Sequence, residues 1–87
     1  MEKETILNIK EGMPRTFGHA LKRRRVSLGL TQQETANILN ISRSQYWKYE
    51  NDYITPKIKN MEKISKRLGI EKTILNELRI KAKTYMY

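Results

Sequence analysis

Three groups of side chains in this sequence could do chemistry, and their types point to charge and hydrogen bonding rather than to bond making. Lys22-Arg23-Arg24-Arg25 is a run of four cations, Arg43-Ser44-Gln45 with Lys48 is a string of hydrogen-bonding groups, and Tyr46, Tyr49 and Tyr53 gather three phenols. Taken alone, each has a plain structural reading: a solvated helical face, an exposed first turn, and scaffold rings packed into a core at helical intervals. The single histidine, His19, has no second His, Asp or Glu at ligand spacing, so no metal or catalytic role is assigned to it. Without cysteine there is no thiolate nucleophile, disulfide framework or cysteine-based zinc site. A nucleophile–base pair, paired acids and a phosphate-cradling glycine loop are also missing, so no enzyme is expected, and no cofactor or metal is implied.

Composition narrows the partners. Eighteen Lys plus Arg against nine Asp plus Glu leave a formal charge of +9 on 87 residues. Residues 1–15 are neutral, while residues 16–50 carry +4, 51–68 carry +3 and 69–87 carry +2. Because the excess is interleaved with apolar residues, it belongs to a folded surface and not to a floppy tail. Such a surface attracts polyanions, most simply nucleic acid. An anionic membrane is the weaker candidate, since no segment pairs a wide apolar face with a dispensable place in the fold. The apolar runs are too short for a signal peptide or a membrane span, which makes the cytoplasm the expected location. The length allows one small domain.

Capping signals divide the chain into helices. Thr16 can cap α1, about residues 17–28, whose Phe17, Ala20, Leu21 and Leu28 share a face, with Gly29 as its stop. Thr31 and Glu34 have capping-box spacing for α2, about residues 32–39, and Asn40 suits the left-handed turn that returns Ile41 to the core. Ser42 caps α3, about residues 43–50, and Asn51-Asp52 can make its exit turn. Pro56 fits the first turn of α4, in which Ile58, Met61, Ile64 and Leu68 face inward, Lys57, Lys59, Lys63, Lys66 and Arg67 face outward, and Gly69 closes the helix. A fifth helix, α5, starts near Glu71 and buries Ile74, Leu75 and Leu78, with residues 84–87 as a frayed tail. Residues 1–15 form an arm, because the strand-like Thr5-Ile6-Leu7-Asn8-Ile9 cannot stand alone. The expectation is an all-α domain of five helices over residues 16–83.

Two short helices joined by a tight turn, the second opening on a serine cap with polar side chains after it, form the arrangement that presents a helix to the DNA major groove. The combination of Leu30-Thr31-Gln32, Ser42-Arg43-Ser44 and Tyr49-Glu50-Asn51, with Leu21 to Arg25 before it and Pro56 to Ile70 after it, resembles the Xre or phage repressor/Cro helix-turn-helix family. The resemblance covers about residues 16–78.

It implies a compact, lambda-repressor-like helix-turn-helix domain that binds double-stranded DNA as a transcriptional regulator, a repressor on a two-fold-symmetric operator. Arg43, Ser44, Gln45 and Lys48 then read bases: arginine suits guanine, glutamine adenine, and lysine guanine or phosphate. Gln32 matches a phosphate clamp that Gln33 extends, while Ser42, Asn51, Lys57 and Lys22 match positions at the DNA backbone. Arg25 and Glu50 match an internal ion pair. Thr35 stands where the family has leucine, a loss of apolar area, and Asn40 and Asp52 stand where it has glycine. Trp47 replaces a small polar residue and is left open among three places: beside α2, against a sugar or thymine methyl, or in a subunit contact. A homodimer through the C-terminal segment is expected from Ile74, Leu78, Ile80 and Tyr85-Met86-Tyr87. The competing reading is an antitoxin or adaptor that uses the same fold to grip a protein.

Overall fold

The computed structural model describes the backbone of residues 14–85 and the side chains of residues 14–80. Its helices are α1 (Phe17–Ser27), α2 (Gln32–Leu39), α3 (Arg43–Glu50), α4 (Ile58–Leu68) and α5 (Lys72–Tyr85), with no strand among the described residues. Most of the anticipated arm, residues 1–13, and the last two positions lie outside the described residues.

Local chemistry sets the helix starts. Thr16 Oγ1 accepts from the His19 N–H at 3.0 Å, and Ser42 Oγ accepts from the Gln45 N–H at 3.0 Å. At α2 the cap is reciprocal: Thr31 Oγ1 accepts from the Glu34 N–H at 3.0 Å, and Glu34 Oε1 accepts from the Thr31 N–H at 2.8 Å. Each such cap contributes about 1 kcal/mol by satisfying amides the helix itself leaves without acceptors. Accepting from the Thr31 N–H, with a smaller contribution from the Thr31 hydroxyl, also holds the Glu34 carboxyl below its ordinary pKa. Asn40 ends α2 in the left-handed region at φ +56°, where the Ile41 N–H turns back to the Ala36 carbonyl at 3.0 Å.

The helix faces then meet. α3 packs on α1 and α2, while α4 and α5 pack on each other and close the structure against α2 and α1. Leu21, Ala36, Tyr46, Ile64, Leu68 and Leu75 are the most deeply buried apolar residues, and between them they draw on all five helices. Ile41, Ile70 and Ile74 pack at the edge of this cluster. Thr35 is fully buried, with its hydroxyl donating to the Thr31 carbonyl at 2.9 Å.

Five expectations are corrected. Leu28 caps α1 at 43 % exposure instead of joining the core. Ile58 is 58 % exposed because it opens α4 beyond the edge of the stack. Pro56 precedes the first turn of α4: Lys57 holds the cap position, and the proline ring is buried ahead of it. Tyr53 is 71 % exposed and does not join Tyr46 and Tyr49 inside. Finally, α5, which starts at Lys72 close to the expected place, continues to Tyr85, past the point assigned to a frayed tail.

Candidate nucleic-acid interface

The two sides of α3 differ in what they touch. Tyr46, Tyr49 and Glu50 face inward, whereas Ser42, Arg43, Ser44, Trp47, Lys48 and Asn51 are exposed. Residues four apart lie on one face of a helix, so Arg43 with Trp47 and Ser44 with Lys48 make two adjacent rows. Arg43, Ser44 and Trp47, together with Gln32 at the start of α2, line a shallow surface concavity.

The inward side fixes the helix. Glu50 Oε2 accepts from Arg25 Nε at 2.8 Å and from the Tyr46 hydroxyl at 2.5 Å, and Glu50 Oε1 accepts from Arg25 Nη2 at 3.0 Å and Gln32 Nε2 at 3.1 Å. Arg25 also donates through Nη1 to the Leu30 carbonyl at 2.9 Å. One carboxylate thereby joins α1, α2 and α3. Burial alone would raise the Glu50 pKa, but the hydrogen bonds from Arg25, Tyr46 and Gln32, with the arginine's charge, outweigh it and hold the carboxyl below its ordinary value. The same bonds raise Arg25, while burial followed by the Glu50 contact pushes the Tyr46 phenol far up. All these groups keep their neutral-pH charge states.

A second anchor lies at the exit of α3, and it was not legible as such in the sequence. Asp52 sits at φ +61° and turns its carboxylate onto the start of α1, accepting from the Gly18 N–H at 2.8 Å and the Thr16 hydroxyl at 2.7 Å. Gly18 has to be glycine there, since a β-carbon would meet the Glu50 carbonyl oxygen at 2.2 Å. A glycine in the first turn of an otherwise well-capped helix was the available signal.

The sequence-derived site residues fall into two sets. Among the described residues, the side chains of Arg43, Ser44, Lys48, Lys22 and Lys57 are exposed and make no hydrogen bond or ion pair. The others are engaged. Gln45 is half-buried and donates to the Tyr49 hydroxyl at 2.7 Å, an oxygen that also accepts from Asn60 at 2.8 Å. Gln32 is held by Glu50, Gln33 Nε2 donates to Asn37 at 3.0 Å, and Asn51 Nδ2 donates to the Trp47 carbonyl at 2.9 Å. Lys22 lies on α1 and Lys57 caps α4, so these cations flank α3 rather than extend it. The four-cation run also divides: Lys22 and Arg23 are exposed, Arg24 Nε donates to the Leu68 carbonyl at the end of α4 at 2.6 Å, and Arg25 is paired. His19 Nδ1 accepts from the Arg15 N–H at 3.3 Å, a contact local to the turn before α1.

A helix braced from behind by a preceding helix, joined to it by a tight left-handed turn and presenting polar side chains at its start, defines a helix-turn-helix domain. The helix-turn-helix family model matches residues 21–75, more than half of the chain, and the protein belongs to this Xre-like family. Among curated proteins it is similar to the SPbeta prophage-derived uncharacterized HTH-type transcriptional regulator YonR of Bacillus subtilis (strain 168), with 41 % identity over 59 residues. That match covers 68 % of this chain and 55 % of YonR, so the chain spans about half the length of its relative. No solved structure gives a significant match.

Proposed function

We propose that the chain is a sequence-specific double-stranded DNA-binding regulator that lays α3 in the major groove. The reading rests on one observation: Glu50 ties α3 to Arg25 of α1 and Gln32 of α2, while the side chains of Arg43, Ser44 and Lys48 on its outer side have no internal partner among the described residues. Rigid positioning of groups free to bond elsewhere is what direct readout requires. Arg43, Ser44 and Lys48 meet base edges, and Gln45 joins them by exchanging its Tyr49 bond for one to adenine. Ser42, Gln32, Gln33 and Asn51 meet the phosphates nearest α3, and Lys22 and Lys57 meet phosphates to either side. The name of the relative supports regulation of transcription.

A domain this small covers few base pairs, so we assign it a two-fold-symmetric operator read by a dimer with readers about 34 Å apart, acting as a repressor in the cytoplasm. The proposed dimer surface is the C-terminal segment, where Ile80 is more than half exposed, although Leu78, counted toward it from the sequence, is buried in the core and Ile74 packs against it. Sedimentation showing a monomer both free and on DNA removes the dimer.

Selecting bound sequences from a random duplex pool, then measuring binding to the winner and to a scrambled control, tests the reading. Arg43→Ala lowers the ratio of the two affinities by the roughly 1–3 kcal/mol of a bidentate base contact. Lys57→Ala weakens both about equally and reduces the slope of log affinity against log salt by about one. A protein that enriches no sequence, or whose Arg43→Ala variant keeps full discrimination, refutes it.

A further inference from the structure

Trp47 is the residue whose place the DNA-binding reading does not yet explain. It is 42 % exposed in the middle of α3, on the outward side and one turn beyond Arg43. Its indole stacks on the Tyr53 ring with centroids 5.2 Å apart and planes 24° from parallel. The backbone builds this pair: the Asn51 N–H donates to the Trp47 carbonyl at 2.9 Å, and the Tyr53 N–H folds back to the Lys48 carbonyl at 2.8 Å. Tyr53 therefore braces one part of the indole while the rest stays in solvent. Fixing two large rings at the surface costs side-chain freedom and returns little burial, an arrangement that suits contact with something outside the domain.

The surroundings narrow what that is. Trp47 is the apolar wall of the concavity whose other walls are Gln32, Arg43 and Ser44, so whatever fills it offers an apolar group beside hydrogen-bonding and anionic ones. The major-groove edge of a duplex has one apolar group of this kind, the 5-methyl of thymine, lying among base acceptors and flanked by phosphates. A purely apolar protein surface would leave Arg43 desolvated without a counter-charge.

We propose that Trp47, held by Tyr53, is a specificity-determining residue that packs on a thymine methyl next to the base read by Arg43. The inference rests on the DNA-binding reading and adds to it a position where the operator must carry thymine. Replacing that thymine with deoxyuridine removes one methyl and changes nothing else on the base edge.

The test takes the selected duplex and replaces its thymines one at a time with deoxyuridine, measuring affinity for the wild-type chain and for Trp47→Ala. At one thymine per half-site the wild type loses about fourfold, the scale of one buried carbon. Trp47→Ala is insensitive at that position and unchanged in its response to Arg43-dependent positions. Circular dichroism and a melting curve show that the variant is folded, as its surface location requires. Because Trp47 is the only tryptophan in the chain, its fluorescence supplies a reading on the unaltered protein: the selected duplex shields it from acrylamide quenching more than a scrambled one does. The proposal is overturned if no thymine behaves this way. It is also overturned if Trp47→Ala weakens selected and scrambled DNA equally, the mark of a sugar contact, or if the variant binds DNA normally but no longer self-associates, the mark of a subunit contact. Failure of the DNA-binding reading shows earlier and separately, as the absence of any enriched sequence for the wild type.

Discussion

Glu50→Gln is the substitution that most directly probes what holds α3 in place. The glutamine preserves size and one acceptor oxygen but removes the charge that four donors share, from Arg25 at 2.8 and 3.0 Å, Tyr46 at 2.5 Å and Gln32 at 3.1 Å. The Arg25 and Glu50 side chains are only 15 % and 4 % exposed, so water cannot take over the lost partner. Breaking one side of such a pair costs about 3–5 kcal/mol, against roughly 4–13 kcal/mol of total stability for a chain of this length. At about 4–8 °C per kcal/mol, the midpoint of thermal unfolding falls by at least about 12 °C. Urea unfolding followed by circular dichroism measures the loss, and a cycle with Arg25→Met assigns it to the pair. The pH dependence provides a second constraint. Glu50 is held below its ordinary pKa of 4.5, so its contribution is complete above that value and is lost as pH falls through the lower value it has in the fold. Wild type and Glu50→Gln therefore converge in acid. A loss under about 1 kcal/mol at neutral pH, the scale of an exposed pair, or a gap that persists undiminished in acid, refutes the reasoning.

Two further substitutions test the turns that flank this anchor. Gly18→Ala places a β-carbon 2.2 Å from the Glu50 carbonyl oxygen, so the start of α1 must move away from α3, at a cost of about 1–3 kcal/mol in urea unfolding; a neutral result would show that the close approach is not needed. Asn40 holds φ +56°, where Asn40→Gly is close to neutral and Asn40→Val costs about 1–2 kcal/mol, so thermal melting should separate the two variants by several degrees.

The sequence carried most of the helix boundaries because the interactions that set them are local. Thr16, Thr31 and Ser42 each bond an amide three residues ahead, and Gly29, Asn40 and Gly69 each need only their own backbone angle, so neighbouring letters suffice. Burial was less legible. Leu28 is in helical phase with Leu21, and Ile58 with Met61, yet both lie at helix ends past the packed stack: periodicity gives the direction of a side chain, not whether anything faces it. Tyr53 misled in the same way, because its spacing from Tyr49 continues a helical interval although α3 has already ended at Glu50. Within the candidate site, residue types were readable but their internal commitments were not. In the sequence Gln45 looks like a free base reader and Gln32 like a phosphate clamp, and their bonds to Tyr49 and Glu50 appear only once α3 has been placed against its neighbours.

Asp52 shows how one residue can serve both a turn and a helix cap. An L-residue in the left-handed region carries a cost of about 1–2 kcal/mol that glycine would avoid. Glycine, however, would have no carboxylate to receive the Gly18 amide and the Thr16 hydroxyl, or to place negative charge at the positive end of α1. Charge-assisted bonds of this kind are about twice as strong as neutral ones, enough to offset the backbone cost. The mechanical result is that α3 grips α1 at two separated points, through Asp52 at its first turn and through Glu50 at Arg25 about two turns further on. Two contacts on α1 and a third to Gln32 of α2 fix its tilt, so the direction in which Arg43, Trp47 and Lys48 face is set by the fold. On the proposed reading, discrimination between base pairs draws on that prior rigidity, because a helix able to rock would let the same side chains reach the wrong edges at little cost.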